Sequence, residues 1–472
     1  MVHVAIIGAY GSAGVAAANQ LLEKYDAGLI DDLQLSLIDD GEPGGLCILR
    51  GCMPSKDVLS VAGHRYQVRH DDRFDETPDV DVERTIERKK EHVSDFAKHR
   101  GSGVKSMADR DEVTLYEESA RFVDTTTLEV GIHHLEVDHV VVATGSDPTI
   151  PPVPGIEDVT VKTSADVLDA TTFPDSAVVI GFGFIGMELA PYLAEVGDVD
   201  VTVIDRNDRP LSEADPAFGD AVLDLYEREF GIEVVTGAAA DEVTAERGQV
   251  AVSYRASGGE SGTVTGDELY VFAGRTPNIA GLNLEAAGVE TGGSWISDTM
   301  QTKDNPRIYV AGDANGREPI LHVAKEEGFV AADNIVASER DEQLTQYQPI
   351  IHRVVFSGLS VYPFARVGHS AASAKAAGYE VVTATREASD DGVFKVKAVP
   401  EGLAKLVVCA DTGRVLGYLG LHHHADVFAK LAQVIIEGGL TVQDLPDRAY
   451  HPTTPELLDG LIRETAAAVT DR

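Results

Sequence analysis

Apolar residues change their spacing several times along this chain. The run HVAIIGA (3–9) is almost continuously apolar, as a strand covered on both faces would be. It leads into the small-residue stretch GSAGVAAANQLLEKY (11–25), which predicts a helix. LQLSLIDD (33–40) then predicts a second strand, closing on Asp39 and Asp40. The same order returns in AVVIGFGFIGMELAPYLAEVGDVDVTVIDRNDRP (177–210): strand, glycine-rich turn, helix, and a strand ending at Asp205. Residues 102 to 140 carry many β-branched side chains and predict strands. From about residue 346 the pattern shifts again. VVFSGLSVYPFARVG, VFKVKAV and AKLVVCADTGRVLGYLGL predict antiparallel strands, followed by a helix near 424 to 438.

The turns between first strand and helix carry chemical information. Glycines there let the backbone approach a pyrophosphate at the helix N-terminus, and an acid after the next strand meets the ribose. In the second unit Gly181, Gly183 and Gly186 stand in full G-x-G-x-x-G register, with Asp205 as the acid. The first unit is imperfect. Gly8 fills the first glycine position, but Tyr10 replaces the second and Ala13 the third, with Gly11 between them and Asp39 as the acid. Two such units imply two nucleotides: a bound flavin and a nicotinamide that comes and goes. The fold class is therefore α/β, with two Rossmann-like dinucleotide-binding domains and a C-terminal α+β domain.

The length, 472 residues, exceeds one core, and about two to four domains are expected. The net charge of −39 is spread along the chain, which argues against a nucleic-acid partner. An acidic surface this dense suits a salt-rich cytoplasm, where screening removes self-repulsion, so a halophilic source is expected. The start, MVHVAIIGAYG, has no basic leader, and no apolar run reaches the ~18 residues of a membrane span. A cytoplasmic protein without membrane contact follows as the expectation.

Only three cysteines are present, yet Cys47 and Cys52 stand together in GGLCILRGCMPSK. A zinc site needs about four ligands, and no second Cys or His pair lies near, so redox chemistry is the better reading and no metal is expected. Cys409, in KLVVCADTG, reads as a buried strand residue. A helix starting near the pair would put both thiols about one turn apart and favour a thiolate. The run His422, His423, His424 reads as a loop before the C-terminal helix.

GGLCILRGCMPSK resembles the redox-active motif of the flavin-dependent pyridine nucleotide-disulfide oxidoreductases, the family of glutathione reductase and dihydrolipoamide dehydrogenase. VVATGSDPTIPPVPG, AGRTPN, RIYVAGDANG and HPTTPE resemble further motifs of that family, in its order. The resemblance implies FAD and NAD(P)H as cofactors, a Cys47–Cys52 redox disulfide, and a homodimer. It implies a flavin domain (1–150 and 273–345), a nicotinamide domain (151–272) and a dimerisation domain (346–472). It makes Cys52 the flavin-facing thiol and Cys47 the thiol that attacks a small-molecule disulfide. Lys56 and Glu188 pair near the flavin, and Phe184 stands where the family often has a lid tyrosine. Thr144, Gly145, Gly274, Arg275, Gly312 and Asp313 fall in the flavin-binding segments. His451 and Glu456 form the acid/base pair, reaching the site from the other subunit.

The coenzyme signals conflict. Asp205 favours NADH, whereas Arg206 and Arg209 suit a 2′-phosphate, and the reading leans to NADPH with NADH possible. Mercuric reductases and the larger thioredoxin reductases are disfavoured by the lack of a C-terminal cysteine pair. Most similar in kind is a bis-γ-glutamylcystine reductase of a halophilic archaeon. A NAD-linked dihydrolipoamide dehydrogenase is the alternative, and a flavin NAD(P)H oxidase or transhydrogenase stands further off.

Overall fold

A computed structural model describes residues 1–246, 248–448 and 450–470. It divides into two compact units. One comprises Met1–Ser55, Arg88–Thr149 and Arg275–Pro349; the other comprises Lys56–Glu87, Ile150–Gly274 and Ile350–Arg472.

The first unit is built on a five-stranded parallel sheet in the order Ile308–Val310, His139–Val142, Val2–Ile7, Leu33–Ile38, Val113–Tyr116. Both faces are covered, which explains why HVAII shows no alternation: Val4 and Ile6 pack into one apolar cluster, Ala5 and Ile7 into another. The helix Ser12–Asp26 follows the first strand, and Leu321–Glu339 packs along it. Gly328 makes that contact possible, because a Cβ there would come 2.5 Å from the Ala13 carbonyl oxygen.

The second unit repeats the theme. Its parallel sheet runs Glu233–Val235, Asp200–Ile204, Ser176–Ile180, Glu268–Val271, Val161–Lys162. Beside it in the chain comes an antiparallel sheet in the order His352–Val355, Phe364–Gly368, Val415–His422, Gly402–Cys409, Val381–Glu387. The helices Ala425–Glu437 and Glu456–Thr470 cover it. Cys409 is buried at a strand end, as its surroundings predict.

Four local expectations need correction. Residues 102 to 108 are helical, the end of the long helix Val82–Ala108; its charge-rich sequence hides the few core contacts, Ile86, Val104 and Met107. VFKVKAV is not a strand. Gly392–Val396 is a short helix that buries the adjacent Val393 and Phe394 while Val396 stays exposed, a split that alternation cannot produce. The cysteine motif holds two helices, Gly45–Leu49 and Cys52–Arg69. Pro54 has no N–H to bond back to Arg50, so the helix restarts with the proline in its first turn. Finally, His422 is no loop residue but the fully buried end of its strand.

Candidate functional site

The turn after the first strand is shaped by close backbone approach. Gly8 has φ +94°, and a Cβ on it would sit 2.2 Å from the Ala143 carbonyl oxygen; one on Gly14 would sit 2.2 Å from that of Gly8. Gly11 caps the helix, its N–H donating to the Gly8 carbonyl, and the first helical turn, with Ala13 in it, holds no acid. Tyr10, at the second glycine position, is compatible with this turn because its ring is buried and its hydroxyl bonds Glu117. Asp39 accepts from the N–H groups of Tyr10 (2.8 Å) and Gly41 (2.9 Å). Burial pushes its carboxyl above the usual range.

Farther along, Thr144 Oγ donates to the Asn278 carbonyl (2.6 Å), and Gly145 (φ +72°) accepts the Asn278 N–H. Gly274 also takes a positive φ, +97°. The short strands Ser146–Pro148 and Arg275–Pro277 pair here. Ser146 donates its hydroxyl to Asp313 (2.6 Å) and accepts from Arg275 Nε (2.8 Å). Asp313 lies in the turn Gly312–Asn315. Ser146 was missed in the sequence, although it directly follows Gly145. Gly8, Gly11, Gly14 and Gly145, the acid-free helix start and the Asp313 turn fit a bound dinucleotide in the first unit.

Cys47 lies in the short helix and Cys52 opens the long one; neither is in a disulfide. Cys47 is half-buried and Cys52 exposed. A hydrogen bond with Cys52, then burial, pushes the Cys47 thiol up, and the Arg100 guanidinium pulls the other way. Arg100, on the helix Val82–Ala108, is anchored by a 2.9 Å bond to the Tyr10 carbonyl. Nothing in its charged surroundings singled it out.

In the second unit Gly181 (φ +104°) and Gly186 are forced to lack a Cβ by the carbonyls of Phe272 and Gly181, each 2.5 Å away from where one would stand. Gly183 faces open space and caps Phe184–Gly197, whose first turn is also free of acids. Asp205 is buried and accepts from the N–H of Phe182 (2.6 Å) and Asn207 (2.8 Å). Arg206, Arg209 and Ser212 line a 390 Å³ cavity. Arg209 is held by Asp220, while exposed Arg206 makes no ion pair among the described residues. This unit fits a second dinucleotide.

Lys56, one turn beyond Cys52 on the same helix, meets Glu188 at 2.5 Å. Glu188 also accepts the Phe356 N–H (3.0 Å), and the Lys56 ammonium lies 4.3 Å from the Phe356 ring centre. Phe184 is one-third exposed, with the Arg353 guanidinium 5.7 Å from its ring centre. His451 Nδ1 lies 3.0 Å from Glu456 Oε2 and 3.1 Å from Oε1, and that contact holds the Glu456 carboxyl below its ordinary range. The His451 side chain is 80% exposed, and its Nε2 has no partner among the described residues. No cluster of metal-ligating side chains occurs among the described residues.

Residues 2–328 match the pyridine nucleotide-disulphide oxidoreductase family, and residues 351–461 match its dimerisation domain. The chain belongs to this family. Among curated relatives it is 32% identical to a mercuric reductase of Lysinibacillus sphaericus, over 92% of this chain and 78% of that one. It is 29% identical to a dihydrolipoyl dehydrogenase of Bacillus subtilis over 98% of both chains, and 29% identical to one of Halobacterium salinarum over 96% and 94%. Among solved structures, LpdA of Mycobacterium tuberculosis shares the fold at TM-score 0.83 and 22% identity, covering 98% of this chain and 99% of that one. The flavoprotein disulfide reductase RclA of Escherichia coli, solved as a Cu(II) complex, shares it at TM-score 0.81, 22% identity and the same coverage. As a family member the protein is an FAD-dependent pyridine nucleotide-disulfide oxidoreductase that uses NAD(P)H. No helix among the described residues is long and apolar enough to cross a membrane.

Proposed function

We propose that this enzyme reduces a low-molecular-weight disulfide, bis-γ-glutamylcystine, at the expense of NADPH in the cytoplasm of a halophile. In balance, NADPH, a proton and the disulfide give NADP⁺ and two thiols. FAD supplies the step between a two-electron hydride donor and a pair of thiols. Residues 1–150 and 273–345 hold it, residues 151–272 hold the nicotinamide, and residues 346–472 form the dimer contact. Gly8, Gly11, Ala13, Asp39, Thr144, Gly145, Gly274, Arg275, Gly312 and Asp313 serve the flavin. Gly181, Gly183, Phe184, Gly186, Asp205 and Arg206 serve the nicotinamide.

The observation that carries this reading is the exposed His451, oriented by Glu456 with its Nε2 unpartnered among the described residues. Thiol–disulfide exchange must deprotonate an attacking thiol and protonate a leaving thiolate, and an imidazole held by a carboxylate does both. In this reading Cys47 attacks the substrate through a mixed disulfide. Cys52 faces the flavin; its exposure in the polypeptide suits a group that a bound cofactor covers. Lys56, paired with Glu188, offsets negative charge gained on reduction. A homodimer is supported by the stripe Val427, Leu431 and Val434, exposed by 63%, 44% and 55% on the helix Ala425–Glu437.

The second reading, a dihydrolipoamide dehydrogenase, is favoured by dihydrolipoyl dehydrogenases matched over 98% and 94% of their length and by Asp205. Steady-state oxidation of NADPH and of NADH separates the two readings. The acceptors to compare are bis-γ-glutamylcystine, oxidised glutathione, lipoamide and Hg(II), in molar salt. Fastest turnover with NADPH and bis-γ-glutamylcystine is expected. A preference for NADH with lipoamide overturns the first reading in favour of the second, and a preference for Hg(II) overturns both.

A further inference from the structure

Glu327 is a carboxylate that neither the sequence motifs nor the proposed chemistry uses. It sits on the helix Leu321–Glu339 with 2% exposure. A single oxygen, Oε2, accepts two hydrogen bonds: the Gly312 N–H at 2.7 Å and the Asn315 side-chain amide at 2.8 Å. These donors stand at the two ends of the four-residue turn Gly312–Asn315, and Asp313 lies between them. Gly312 has φ +72°, and Ala324 and Ala13 crowd the place of a Cβ at 3.1 and 3.4 Å, so the turn has little room to settle elsewhere. Ser146 fixes one Asp313 oxygen, and Arg275 in turn fixes Ser146. Buried carboxylates are rarely retained without such a task, because burial disfavours their charge.

We propose that Glu327 is a positioning residue for flavin binding: it clamps both ends of the 312–315 turn and so sets where Asp313 stands. The inference rests on the reading that Asp313 binds the flavin. Because both bonds end on one oxygen, a glutamine can accept both through its own carbonyl oxygen. Glu327→Gln therefore keeps the clamp, whereas Glu327→Ala removes it and leaves the buried Gly312 N–H unsatisfied.

The test is the dissociation constant of FAD, followed by fluorescence of the released flavin, for wild type, Glu327→Gln, Glu327→Ala and Asp313→Ala. Thermal unfolding of each flavin-free chain is measured alongside. Glu327→Ala is expected to bind FAD roughly tenfold more weakly, or worse, and Glu327→Gln within about threefold of wild type. Wild-type affinity in Glu327→Ala overturns the role of Glu327. So does equal weakening in both variants, since a clamp is rescued by the isostere. Wild-type affinity in Asp313→Ala overturns the Asp313 reading instead, and this inference falls with it. An unfolded Glu327→Ala leaves Glu327→Gln to decide: tenfold weaker binding there, with unfolding unchanged, also counts against the clamp.

Discussion

The ammonium of Lys56 lies 2.5 Å from the carboxylate of Glu188, a residue 132 positions further along the chain. Glu188 is mostly buried, and its second oxygen is taken by the Phe356 N–H. The pair is therefore held in place rather than floating on the surface. Lys56→Met removes the cation while keeping the stem's packing against Phe356. It is expected to lower the two-electron flavin potential by at least about 30 mV, a tenfold change in equilibrium. A redox titration against dyes of known potential checks this; an unchanged potential dismisses Lys56 from the flavin site.

The two cysteines should work as one exchanging pair. Wild-type enzyme reduced with NADPH and then unfolded should show two more titratable thiols than the oxidised enzyme. Neither Cys47→Ser nor Cys52→Ser should gain any. Both should still oxidise one equivalent of NADPH, and both should lose disulfide turnover, since each lacks half of the exchanging pair. Stopped-flow traces in which Cys47→Ser fails to accept hydride would contradict the assignment.

Arg206 faces the 390 Å³ cavity without an ionic partner among the described residues, whereas Arg209 is tied to Asp220. If its guanidinium grips a 2′-phosphate, Arg206→Ala should raise the Michaelis constant for NADPH by roughly one to two decades and leave NADH nearly unchanged. Equal losses with both coenzymes would show that Arg206 does not discriminate between them.

His451→Ala should slow disulfide reduction by roughly 10²–10⁴-fold and spare flavin reduction. A mixing experiment tests where the histidine acts. Inactive His451→Ala chains are exchanged with inactive Cys47→Ser chains. A shared site predicts that each mixed dimer recovers about half of the wild-type activity, because one intact site is rebuilt. Verified mixed dimers without activity would place the whole site in one chain.

His422 gives a pH prediction. It is fully buried, with Nε2 2.6 Å from the Tyr418 hydroxyl, and burial pulls its pKa down to about 4 from 6.5. The unfolded chain takes up the proton first, so the stability of the neutral form is complete above pH 6.5. It is lost as pH falls toward 4, by about 3 kcal/mol in all. Urea unfolding in molar salt should show wild type losing about that much more than His422→Gln between pH 7 and 4. Parallel pH curves for the two proteins would dispose of the prediction.

The sequence disclosed what is local. Gly8, Gly181 and Gly186 stand where a Cβ would strike a carbonyl, a constraint written into single positions. Cys47, Cys52, His451 and Glu456 lie within short motifs. Tyr10 looked like a defect of the first motif, and only tertiary structure shows its ring turned away toward Glu117. Arg100 and Glu327 were invisible, because each serves a turn outside its own helix, 90 positions away for Arg100 and 12 to 15 for Glu327, and sits in an unremarkable charged stretch. The helix Val82–Ala108 was hidden for a related reason: its few buried side chains are outnumbered by charge.

The exposure of His451 has a kinetic meaning. If the imidazole completes a site on a second chain, a solitary subunit has an inlet for electrons and no outlet. It would fill from NADPH and stall, or leak to whatever oxidant diffuses past. Turnover per chain would then climb with enzyme concentration until subunits pair, and the cell's copy number would itself act as a throttle.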